Sequence, residues 1–435
     1  MNERTAALVA RCFPGSSDQL VLDGVSASDL VREFGSPIYA YSAAGLERSW
    51  LALRNALPNE IDICYSIKAN PHPAVVERLV SFGARLEIAS AGELNTVIAA
   101  GGDPAKTLFA GPGKAPEELA AAIDHGIAEI HVESLLEAER LSALATERGV
   151  TTRVAVRVNP DSEAQGGAMR MGGQPAPFGV DEEELDHVVA ALEKLPGIEL
   201  VGVHLFAGTQ ILSADVLIAQ YRKAIEVAVR VGDLIGRPLS TVDFGGGLGI
   251  PYFDRDRQLD LEALRVGVTA LMADRPAALA ETQFLVEPGR FLAGEAGVYL
   301  ATVRDVKQSR GSTFVIIDGG MHHHLAASGN LGQVIKRNYP IVAADHLLAA
   351  DAPPAQLVGP LCTPLDTLAR DLTIPEVQPG DVIAVLQSGA YGRSASPMGF
   401  LSHPGPAEVW VEGGTARLIR SAGTGHDGLA GVIAP

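Results

Sequence analysis

A lysine stands at the end of a strongly apolar segment in the stretch DICYSIKANPHP, residues 62–73. The β-rich run Ile61–Ile67 leads directly into Lys68, and Pro71 prevents the strand from continuing. Lysine is among the residues least often buried, so its place at the mouth of an apolar strand raises the question of whether it only extends to solvent or its amine is used. The chemistry open to such an amine is attack on a carbonyl group to form a Schiff base.

Polar or glycine residues close several other predicted strands. They are Glu87, Ser90 and Glu93 in EIASAGEL, Arg157 and Asn159, His204, Phe206 and Thr209 in HLFAGTQ, Gly245–Gly247, and Glu287–Arg290. Three consecutive glycines let backbone N–H groups approach an anion closely, as they do in phosphate-binding loops. With Arg290 adding a positive charge, the pattern predicts a phosphate site near a glutamate and a Schiff-base lysine. Together these features are typical of enzymes that use pyridoxal phosphate.

The elements that carry these residues repeat one pattern from about residue 61 onward. A short β-rich strand is followed by a helical segment, such as PAVVERLVSFG or EELAAAIDHG. We predict eight strands: Ile61–Ile67, Leu86–Ala89, Thr107–Ala110, Glu129–Val132, Arg153–Val158, Leu200–Phe206, Thr241–Phe244 and Gln283–Val286. The alternation implies βαβ units and a parallel sheet, and eight units predict a closed (β/α)8 barrel of about 250 residues. Chemistry in that fold sits at the C-terminal ends of the strands.

The pattern changes beyond Arg290, where β-rich runs with turn signals replace the alternation. Examples are VYLATVRDVKQ, TFVIIDGG, DVIAVLQ and AEVWVEGGTARLI, and similar pieces, QLVLDG and PIYAYS, lie near the N-terminus. We therefore predict an α/β protein with a barrel over residues 45–290. Residues 1–44 and 291–435 are expected to form an antiparallel β domain.

Length and composition restrict the class of protein. The chain has 435 residues, enough for two domains, with 47% apolar and 20% charged residues. A formal charge of −18 argues against nucleic acid or an anionic membrane surface as partner. The three cysteines do not form a disulfide framework, and neither a signal peptide nor an apolar run of about 18 residues is evident. We expect a cytoplasmic protein.

Several motifs together resemble the fold-type III pyridoxal-phosphate decarboxylases, the diaminopimelate and ornithine decarboxylase family, which shares its fold with alanine racemase. The motifs are YSIKANPHP, LEIASAGEL, VDFGGGLGIPY, EPGRFL, GPLCTPLD and GAYGRSASP, and they extend over nearly the whole chain. The resemblance implies pyridoxal 5'-phosphate as cofactor and α-decarboxylation of an amino acid or amino-acid derivative. It also implies a homodimer in which Cys362 reaches the partner subunit's site.

The resemblance assigns roles to individual residues. Lys68 carries the cofactor, Glu287 pairs with the pyridine nitrogen, and either Cys362 or the freed Lys68 reprotonates the carbanion. The cofactor set is Lys68, Glu87, Arg157, His204, Phe206, Thr209, Gly246, Gly247, Glu287, Gly289, Arg290 and Tyr391. The substrate set is Cys362, Thr363, Asn330 and His323. A carboxylate at the ring nitrogen favours its protonated form and therefore a strong electron sink, as decarboxylation needs.

The sequence departs from the family pattern at positions that contact cofactor or substrate. Phe206 takes the place of the histidine that stacks on the cofactor ring. Ala326, Asn330 and Thr363 take the places of an arginine, a tyrosine and an acidic residue that grip diaminopimelate. Free meso-diaminopimelate is therefore not the expected substrate. The segments HLFAGTQ, MHHHLAASGN and GPLCTPLD are most similar to a secondary-metabolism subgroup in which one type decarboxylates an aminoacyl group held on a carrier protein.

Other functions remain open at this level. Within the same chemistry, the alternatives are a diaminopimelate, lysine or ornithine decarboxylase. Outside it, they are a non-catalytic pyridoxal-phosphate protein, a racemase or an aldolase. Glu287 speaks against the racemase, and the segments beyond the barrel speak against the non-catalytic protein. The histidines His322–His324 lack a Cys or carboxylate cluster at zinc spacing, so we predict no metal site.

Overall fold

The computed structural model describes residues 1–161, 169–170, 175–206, 208–333 and 335–424. The predicted domain ranges also contain residues 162–168, 171–174, 207, 334 and 425–435, which lie outside this described part. Contacts divide the chain into two compact units. One contains Met1–Ser49, Tyr252–Asp256 and Leu292–Pro435, and the other contains Trp50–Pro251 and Arg257–Phe291.

The strands of the described chain are numbered in sequence order. They are β1 Val21–Leu22, β2 Val25–Ser26, β3 Ile38–Ser42, β4 Ile61–Ser66, β5 Arg85–Ile88, β6 Thr107–Phe109, β7 Glu129–Val132, β8 Thr152–Asn159, β9 Met169–Arg170, β10 Val180–Asp181, β11 Ile198–Leu205, β12 Gly208–Thr209, β13 Thr241–Asp243, β14 Gln283–Val286, β15 Gly297–Ser309, β16 Ser312–Ile317, β17 Ile341–Ala343, β18 Ala355–Val358, β19 Thr367–Leu372, β20 Val382–Val385, β21 Ala407–Glu412 and β22 Thr415–Arg420.

The helices are numbered in the same way. They are α1 Glu3–Cys12, α2 Ala27–Phe34, α3 Ala43–Ala56, α4 Pro73–Ser81, α5 Ala91–Ala99, α6 Pro116–Asp124, α7 Leu135–Arg148, α8 Leu185–Leu192, α9 Ala214–Ile235, α10 Leu261–Ala273 and α11 Arg290–Ala293. Short 3-10 turns occupy Ile67–Ala69, Pro104–Lys106, Glu182–Glu184, Ala277–Leu279, Gly294–Ala296, Arg393–Ala395 and Phe400–Ser402. None of the described helices is long and apolar enough to cross a membrane.

The second unit is a closed parallel barrel. Its strands follow the order β4, β5, β6, β7, β8, β11, β13 and β14, and β14 pairs again with β4. The short strand β10 adds to the end of β8. These eight barrel strands are the eight predicted from the sequence, with ends that agree within two residues. The fold prediction is therefore confirmed.

Aromatic side chains from α9, β14 and the residue after β13 pack against one another in the barrel unit. Phe244 stacks between Tyr221, at 4.6 Å, and Phe284, at 5.5 Å, measured between ring centroids. After β5, Ser90 Oγ accepts a hydrogen bond from the N–H of Glu93 and starts α5. Ser134 starts α7 in the same way. The two serine caps set the residues at which α5 and α7 begin, and therefore the turns that follow β5 and β7.

The other unit is built on a nine-stranded sheet. The main path is β19, β18, β16, β15, β3, β21 and β22, with β20 pairing β15 and β17 pairing β20. Most pairs are antiparallel, as expected, but β3–β21 and β16–β18 are parallel. The N-terminal strand β3 lies between β15 and β21, so the sheet is completed by residues from both ends of the chain. One face is covered by an apolar core to which α1 and α2 contribute Leu8, Val9 and Leu30.

Candidate active site

Lys68 is held by a carboxylate of the neighbouring strand. It lies in the 3-10 turn directly after β4, and its Nζ is 2.8 and 3.0 Å from the two carboxylate oxygens of Glu87 at the end of β5. Ser66 also donates a hydrogen bond to Glu87. Glu87 is fully buried, whereas 46% of the Lys68 side chain remains exposed. The amine is therefore fixed at one end of the barrel and still accessible.

Glu287 follows β14 and is buried in the barrel. Its Oε2 lies 3.2 Å from Nε2 of His204, on β11. Its Oε1 is buried and has no hydrogen-bond partner among the described residues. Burial alone would raise the pKa of Glu287, but attraction and hydrogen bonding to His204 hold it well below the usual range. Glu287 therefore presents an anionic oxygen that lacks a donor.

A second layer of titratable side chains lies beneath Glu287. His131 stacks on His204 at 4.5 Å, and its Nε2 lies 3.3 Å from a carboxylate oxygen of Glu129 and 3.9 Å from one of Asp243. Burial and the nearby Glu287 raise the pKa of Asp243 well above its usual value. Burial also lowers the pKa of His204. The pKa values of the two buried carboxylates are thus shifted in opposite directions, that of Asp243 upward and that of Glu287 downward, as expected where like charges lie close together.

Ligand atoms of His131, His204, Asp243 and Glu287 all lie within 4.8 Å of one another. A metal ion can use such donors, but we interpret the cluster as a charge network because two imidazoles already face the carboxylates within it. The sequence missed Glu129, His131 and Asp243. Glu129 and His131 are two residues apart on one strand and therefore share a face, but this spacing alone does not distinguish them from ordinary strand residues.

The glycine turn after β13 is shaped by close backbone contacts. Gly245 and Gly247 have φ of +69° and +102°, which residues with a side chain rarely adopt. A Cβ on Gly246 would lie 2.5 Å from the carbonyl oxygen of Glu287. The N–H of Gly245 donates to Asp243 at 2.8 Å. Gly289 is similarly close to β4, because a Cβ there would lie 2.9 Å from that of Ala69. Only glycines allow this packing between β13, β14 and the Lys68 turn.

Arg157 at the end of β8 is oriented by a carboxylate and two rings. Its guanidinium donates to Glu133 at 2.7 Å and lies 5.1 Å from the ring centre of Phe178 and 5.9 Å from that of Phe206. Burial opposes ionisation of Glu133, but Arg157 and Lys114 lower its pKa. Phe206 is half-buried at the end of β11, and Thr209 follows in β12. The sequence did not predict the contribution of Glu133.

Arg290, the last candidate of the barrel unit, begins α11 immediately after Gly289. Together the structure gathers Lys68, Glu87, Arg157, His204, Phe206, Thr209, Gly246, Gly247, Glu287, Gly289 and Arg290 at or just after the C-terminal ends of barrel strands. This is the end of the barrel at which catalytic residues occur in the fold.

The remaining candidates belong to the sheet unit. Cys362 is exposed and Thr363 half-buried in a loop that Asp366 organises by accepting the N–H groups of Met321 and Leu361. A Cβ on Gly320 or Gly359 would collide with Asp366, so both glycines are needed for this loop. Burial raises the pKa of Asp366 even though it receives two hydrogen bonds. The acidic residue of GPLCTPLD therefore supports the loop that presents Cys362.

Tyr391 has a left-handed backbone, with φ of +52°. This conformation is unfavourable for a residue with a side chain and is often retained where a side chain must be aimed.

Asn330 donates from its amide to Ser328 at 2.7 Å and to the carbonyl of Leu365 at 3.1 Å.

The three consecutive histidines are buried within the sheet unit, and His323 and His324 have hydrogen-bond partners, whereas the ring nitrogens of His322 have none among the described residues. His323 contacts the hydroxyl of Tyr299 at 3.2 Å and the carbonyl of Pro404 at 2.9 Å. His324 lies 3.0 Å from Ser388. Burial lowers the pKa of His323 and His324 to about 3 and that of His322 to about 4, so all three are neutral at pH 7. Binding of substrate by His323 remains a prediction.

Comparison with known proteins agrees with this geometry. Residues 43–294 match the family described as pyridoxal-dependent decarboxylase, pyridoxal binding domain. The chain is 37% identical to the L-glutamyl-[BtrI acyl-carrier protein] decarboxylase of Niallia circulans, over 94% of this chain and 96% of that protein. It is 35% identical to the diaminopimelate decarboxylase of Aquifex aeolicus, over 92% and 93%. The structure of diaminopimelate decarboxylase from M. jannaschii with L-lysine superposes with a TM-score of 0.89 at 26% identity, covering 97% of each chain.

The chain therefore belongs to the pyridoxal-phosphate-dependent decarboxylases of fold type III. It is a carboxy-lyase that acts on an amino acid or amino-acid derivative with pyridoxal phosphate as cofactor. The family prediction made from the sequence is confirmed. The relatives match along both units of the chain, so the likeness is not limited to the barrel.

The residues present fit the cofactor. The unsatisfied Oε1 of Glu287 is an acceptor suited to a protonated pyridine nitrogen. The accessible Nζ of Lys68 lies beside an anchoring carboxylate. A glycine turn and Arg290 provide backbone donors and a positive charge for a phosphate. The donor and acceptor set thus corresponds to the aldehyde, the ring nitrogen and the phosphate of one molecule.

Proposed function

We propose that this decarboxylase acts on an aminoacyl group carried by a protein, with a glutamyl group as the leading candidate. The observation that carries the proposal is the 37% identity, over 94% of this chain, to a relative whose name specifies an L-glutamyl group on an acyl-carrier protein. In such a substrate one end of the amino acid is bonded to the carrier protein and is therefore not a free, charged group. The enzyme then needs no pocket for a second, charged amino-acid end.

The substrate-facing positions support this choice over diaminopimelate. The distal end of diaminopimelate carries an ammonium and a carboxylate, and a buried charge without a partner is strongly unfavourable. In the matching positions stand Ala326, Asn330 and Thr363, none of which carries a charge. Ala326 is buried, and the amide of Asn330 is engaged with Ser328 and Leu365. These residues offer neither an anion nor a cation to the distal group.

Pyridoxal phosphate supplies the aldehyde that captures the substrate amine and the conjugated ring that accepts the electron pair left when carbon dioxide departs. Lys68 is proposed to hold the cofactor and to be released when the substrate amine replaces it. Glu87 keeps the Lys68 amine at the strand end through its two contacts of 2.8 and 3.0 Å. It also offers an acceptor for the proton that Lys68 must lose before it can act as a nucleophile.

Glu287 is proposed to hold a proton on the ring nitrogen. Its low pKa keeps it anionic, and His204 fixes the orientation of its carboxylate. Phe206 and Arg157 are proposed to contact the ring and its substituents. Glu133 keeps the Arg157 guanidinium in place.

The glycines Gly246, Gly247 and Gly289 are proposed to bind the phosphate through backbone N–H groups, with Arg290, Thr209 and Tyr391. Cys362 is proposed to complete the partner subunit's site in a homodimer. There it contacts substrate together with Thr363, and either Cys362 or Lys68 returns the proton to the carbanion. Its exposure is compatible with that role.

A substrate panel tests the proposal. Carbon dioxide release and product mass are measured for glutamyl-carrier protein, free glutamate, lysine, ornithine and meso-diaminopimelate. We expect turnover of the carrier-bound group and at least a hundred-fold lower kcat/KM for the free amino acids. A value for diaminopimelate at or above about 10⁴ M⁻¹s⁻¹, the range of ordinary enzymes on their own substrates, would contradict the proposal.

A further inference from the structure

A large cavity lies within the sheet unit. Its volume is about 820 Å³, in the range of pockets that hold small organic ligands. Aromatic residues form part of its wall, since Tyr252 and Tyr339 pack tilted against each other at 4.5 Å and Phe253 lies 6.0 Å from Tyr252, measured between ring centroids. Tyr252 and Tyr339 are themselves buried. Phe253 is half-buried, so its ring is the aromatic surface of the wall that an uncharged chain can contact.

The charged groups around the cavity are mostly cationic. Its lining includes five basic side chains, those of Arg4, Arg255, Lys336, Arg337 and Arg370. The lining carboxylates are Asp254, Asp351 and Asp371. The chain as a whole carries a formal charge of −18. A local excess of positive charge on so acidic a protein favours an anionic ligand here and not on the surrounding surface.

Several of these cations are available to a ligand. Arg255 and Arg370 are exposed, and neither forms an ion pair with another described residue. Arg337 stacks over Phe253, with its guanidinium carbon 3.7 Å from the ring centre. Its nearest carboxylate, Asp256, is 3.8 Å away. Stacking leaves the edge of a guanidinium free to donate in two directions, which suits a phosphate. Lys336 donates to Asn330 at 2.5 Å and adds a further charge.

We propose that this cavity binds the phosphopantetheine arm of the carrier protein. The phosphodiester would contact Arg255, Arg337 and Arg370, and the uncharged pantetheine chain would lie along the half-buried ring of Phe253. Tyr252 follows the glycine Gly247 by only five residues in the sequence. A substrate tethered to a carrier requires a binding site for its tether, and a mixed cationic and aromatic cavity provides one. The inference depends on the carrier-bound substrate proposed above.

The direct test is binding of phosphopantetheine and of pantetheine to the holoenzyme, measured by calorimetry. The two compounds differ only in the phosphate. We expect phosphopantetheine to bind at least ten-fold more tightly, because charge-assisted hydrogen bonds to a phosphate are about twice as strong as neutral ones. The ratio of the two dissociation constants should fall to two-fold or less in Arg370→Ala and in Arg255→Ala. Lys307→Ala, which removes an exposed cation of the same unit that does not line the cavity, should keep the full difference. Equal binding of the two compounds by the wild type would overturn the inference.

A second measurement separates failure of this inference from failure of the proposed function. The kcat/KM of the wild type is compared for glutamyl phosphopantetheine and glutamyl pantetheine thioesters. A preference of ten-fold or more for the phosphorylated thioester that is lost in Arg370→Ala supports both the cavity assignment and the proposed function. Equal turnover of the two thioesters retains the proposed function and overturns the cavity assignment. No turnover of either thioester or of glutamyl-carrier protein overturns both.

Two other occupants give different results. If a second copy of the chain covers the cavity, Arg370→Ala shifts the dimer–monomer equilibrium in analytical ultracentrifugation, which would overturn the inference. If the cavity serves free coenzyme A thioesters, glutamyl-coenzyme A is turned over at a higher kcat/KM than glutamyl-carrier protein, with the same consequence. Melting temperatures within about 2 °C of wild type show that the variants are folded.

Discussion

Nζ of Lys68 lies within 3.0 Å of both carboxylate oxygens of Glu87, although the two residues end different strands of the barrel. The contact joins β4 to β5 at their C-terminal ends and leaves nearly half of the lysine side chain exposed. The lysine is thus anchored but not enclosed, as an amine must be if it binds a carbonyl compound and later releases it.

Lys68 is expected to form the covalent link to the cofactor. Borohydride reduction of the yellow holoenzyme should fix pyridoxal phosphate to a single peptide that contains Lys68, as shown by mass spectrometry. Lys68→Ala should lose turnover by several orders of magnitude because covalent catalysis is removed. Lys114, which is buried and bound to Glu137 at 2.6 Å, is the internal comparison. A label on Lys114 or any other lysine would refute the assignment.

Glu287→Gln should retain the cofactor and lose kcat by on the order of 100-fold, because the neutral amide no longer stabilises a protonated ring nitrogen. The loss should appear in kcat more than in KM, and the cofactor's absorbance should shift as well. Unchanged kcat together with an unchanged spectrum would exclude this role.

His204 is expected to act through Glu287. His204→Phe keeps a ring against His131 but removes the imidazole nitrogen that lies 3.2 Å from Glu287, so the pKa of Glu287 should rise and kcat should fall by a smaller factor than in Glu287→Gln. In the double variant the two effects should not add, because both operate on one carboxylate. Full multiplicative loss in the double variant would show that His204 acts independently of Glu287.

Complementation should reveal shared sites. Lys68→Ala and Cys362→Ala chains are each expected to be inactive as homodimers. Mixed after subunit exchange, they should recover up to about a quarter of wild-type activity, because some hybrid sites contain an intact Lys68 and an intact Cys362. Exchange is verified with differently tagged subunits. If hybrids form and activity stays at the level of the single variants, Cys362 does not serve the partner subunit's site.

Glu93 should make folding stability depend on pH. Burial raises the pKa of this carboxyl to about 7, although the N–H of Ala89 donates to it at 2.7 Å. The folded state therefore favours protonated Glu93 more strongly than the unfolded state does. The free energy of folding that this preference contributes is fully present below pH 4.5, where the unfolded chain also protonates Glu93. It is lost as the pH rises through 7. Glu93→Gln should gain on the order of 1–3 kcal/mol relative to wild type at pH 8 and little at pH 4.5. Urea unfolding at both pH values measures the difference, and an equal effect at the two values would contradict it.

The barrel could be predicted because its strands carry their own signal. Strands such as Thr107–Phe109 and Gln283–Val286 are short, mostly apolar runs between helical segments, which is typical of strands buried on both faces. The candidate residues at the strand ends followed from the same pattern, since a barrel brings strand ends together. Lys68 and Glu87 are close for that reason.

The parts that were missed depend on contacts between distant segments. His131 and Asp243 lie inside predicted strands, where the surrounding apolar pattern conceals a titratable residue. Glu133 was missed because its importance arises from the contact with Arg157, 24 positions later. The parallel pairing of β3 with β21 joins residues more than 360 positions apart, and no local pattern specifies such a partner. The left-handed Tyr391 likewise has no local signature.

The segment Tyr252–Asp256 belongs by its contacts to the sheet unit, yet both of its flanks, up to Pro251 and from Arg257, belong to the barrel. Neither unit is therefore encoded by one uninterrupted stretch of sequence. A chimera that exchanges only the C-terminal portion between two relatives would combine a new sheet with the old segment, including the ring on which Arg337 stacks. If the cavity binds the carrier's arm as proposed, an exchange of tether preference between family members requires two simultaneous crossovers around residues 252–256. These five residues are then a target for changing carrier selectivity.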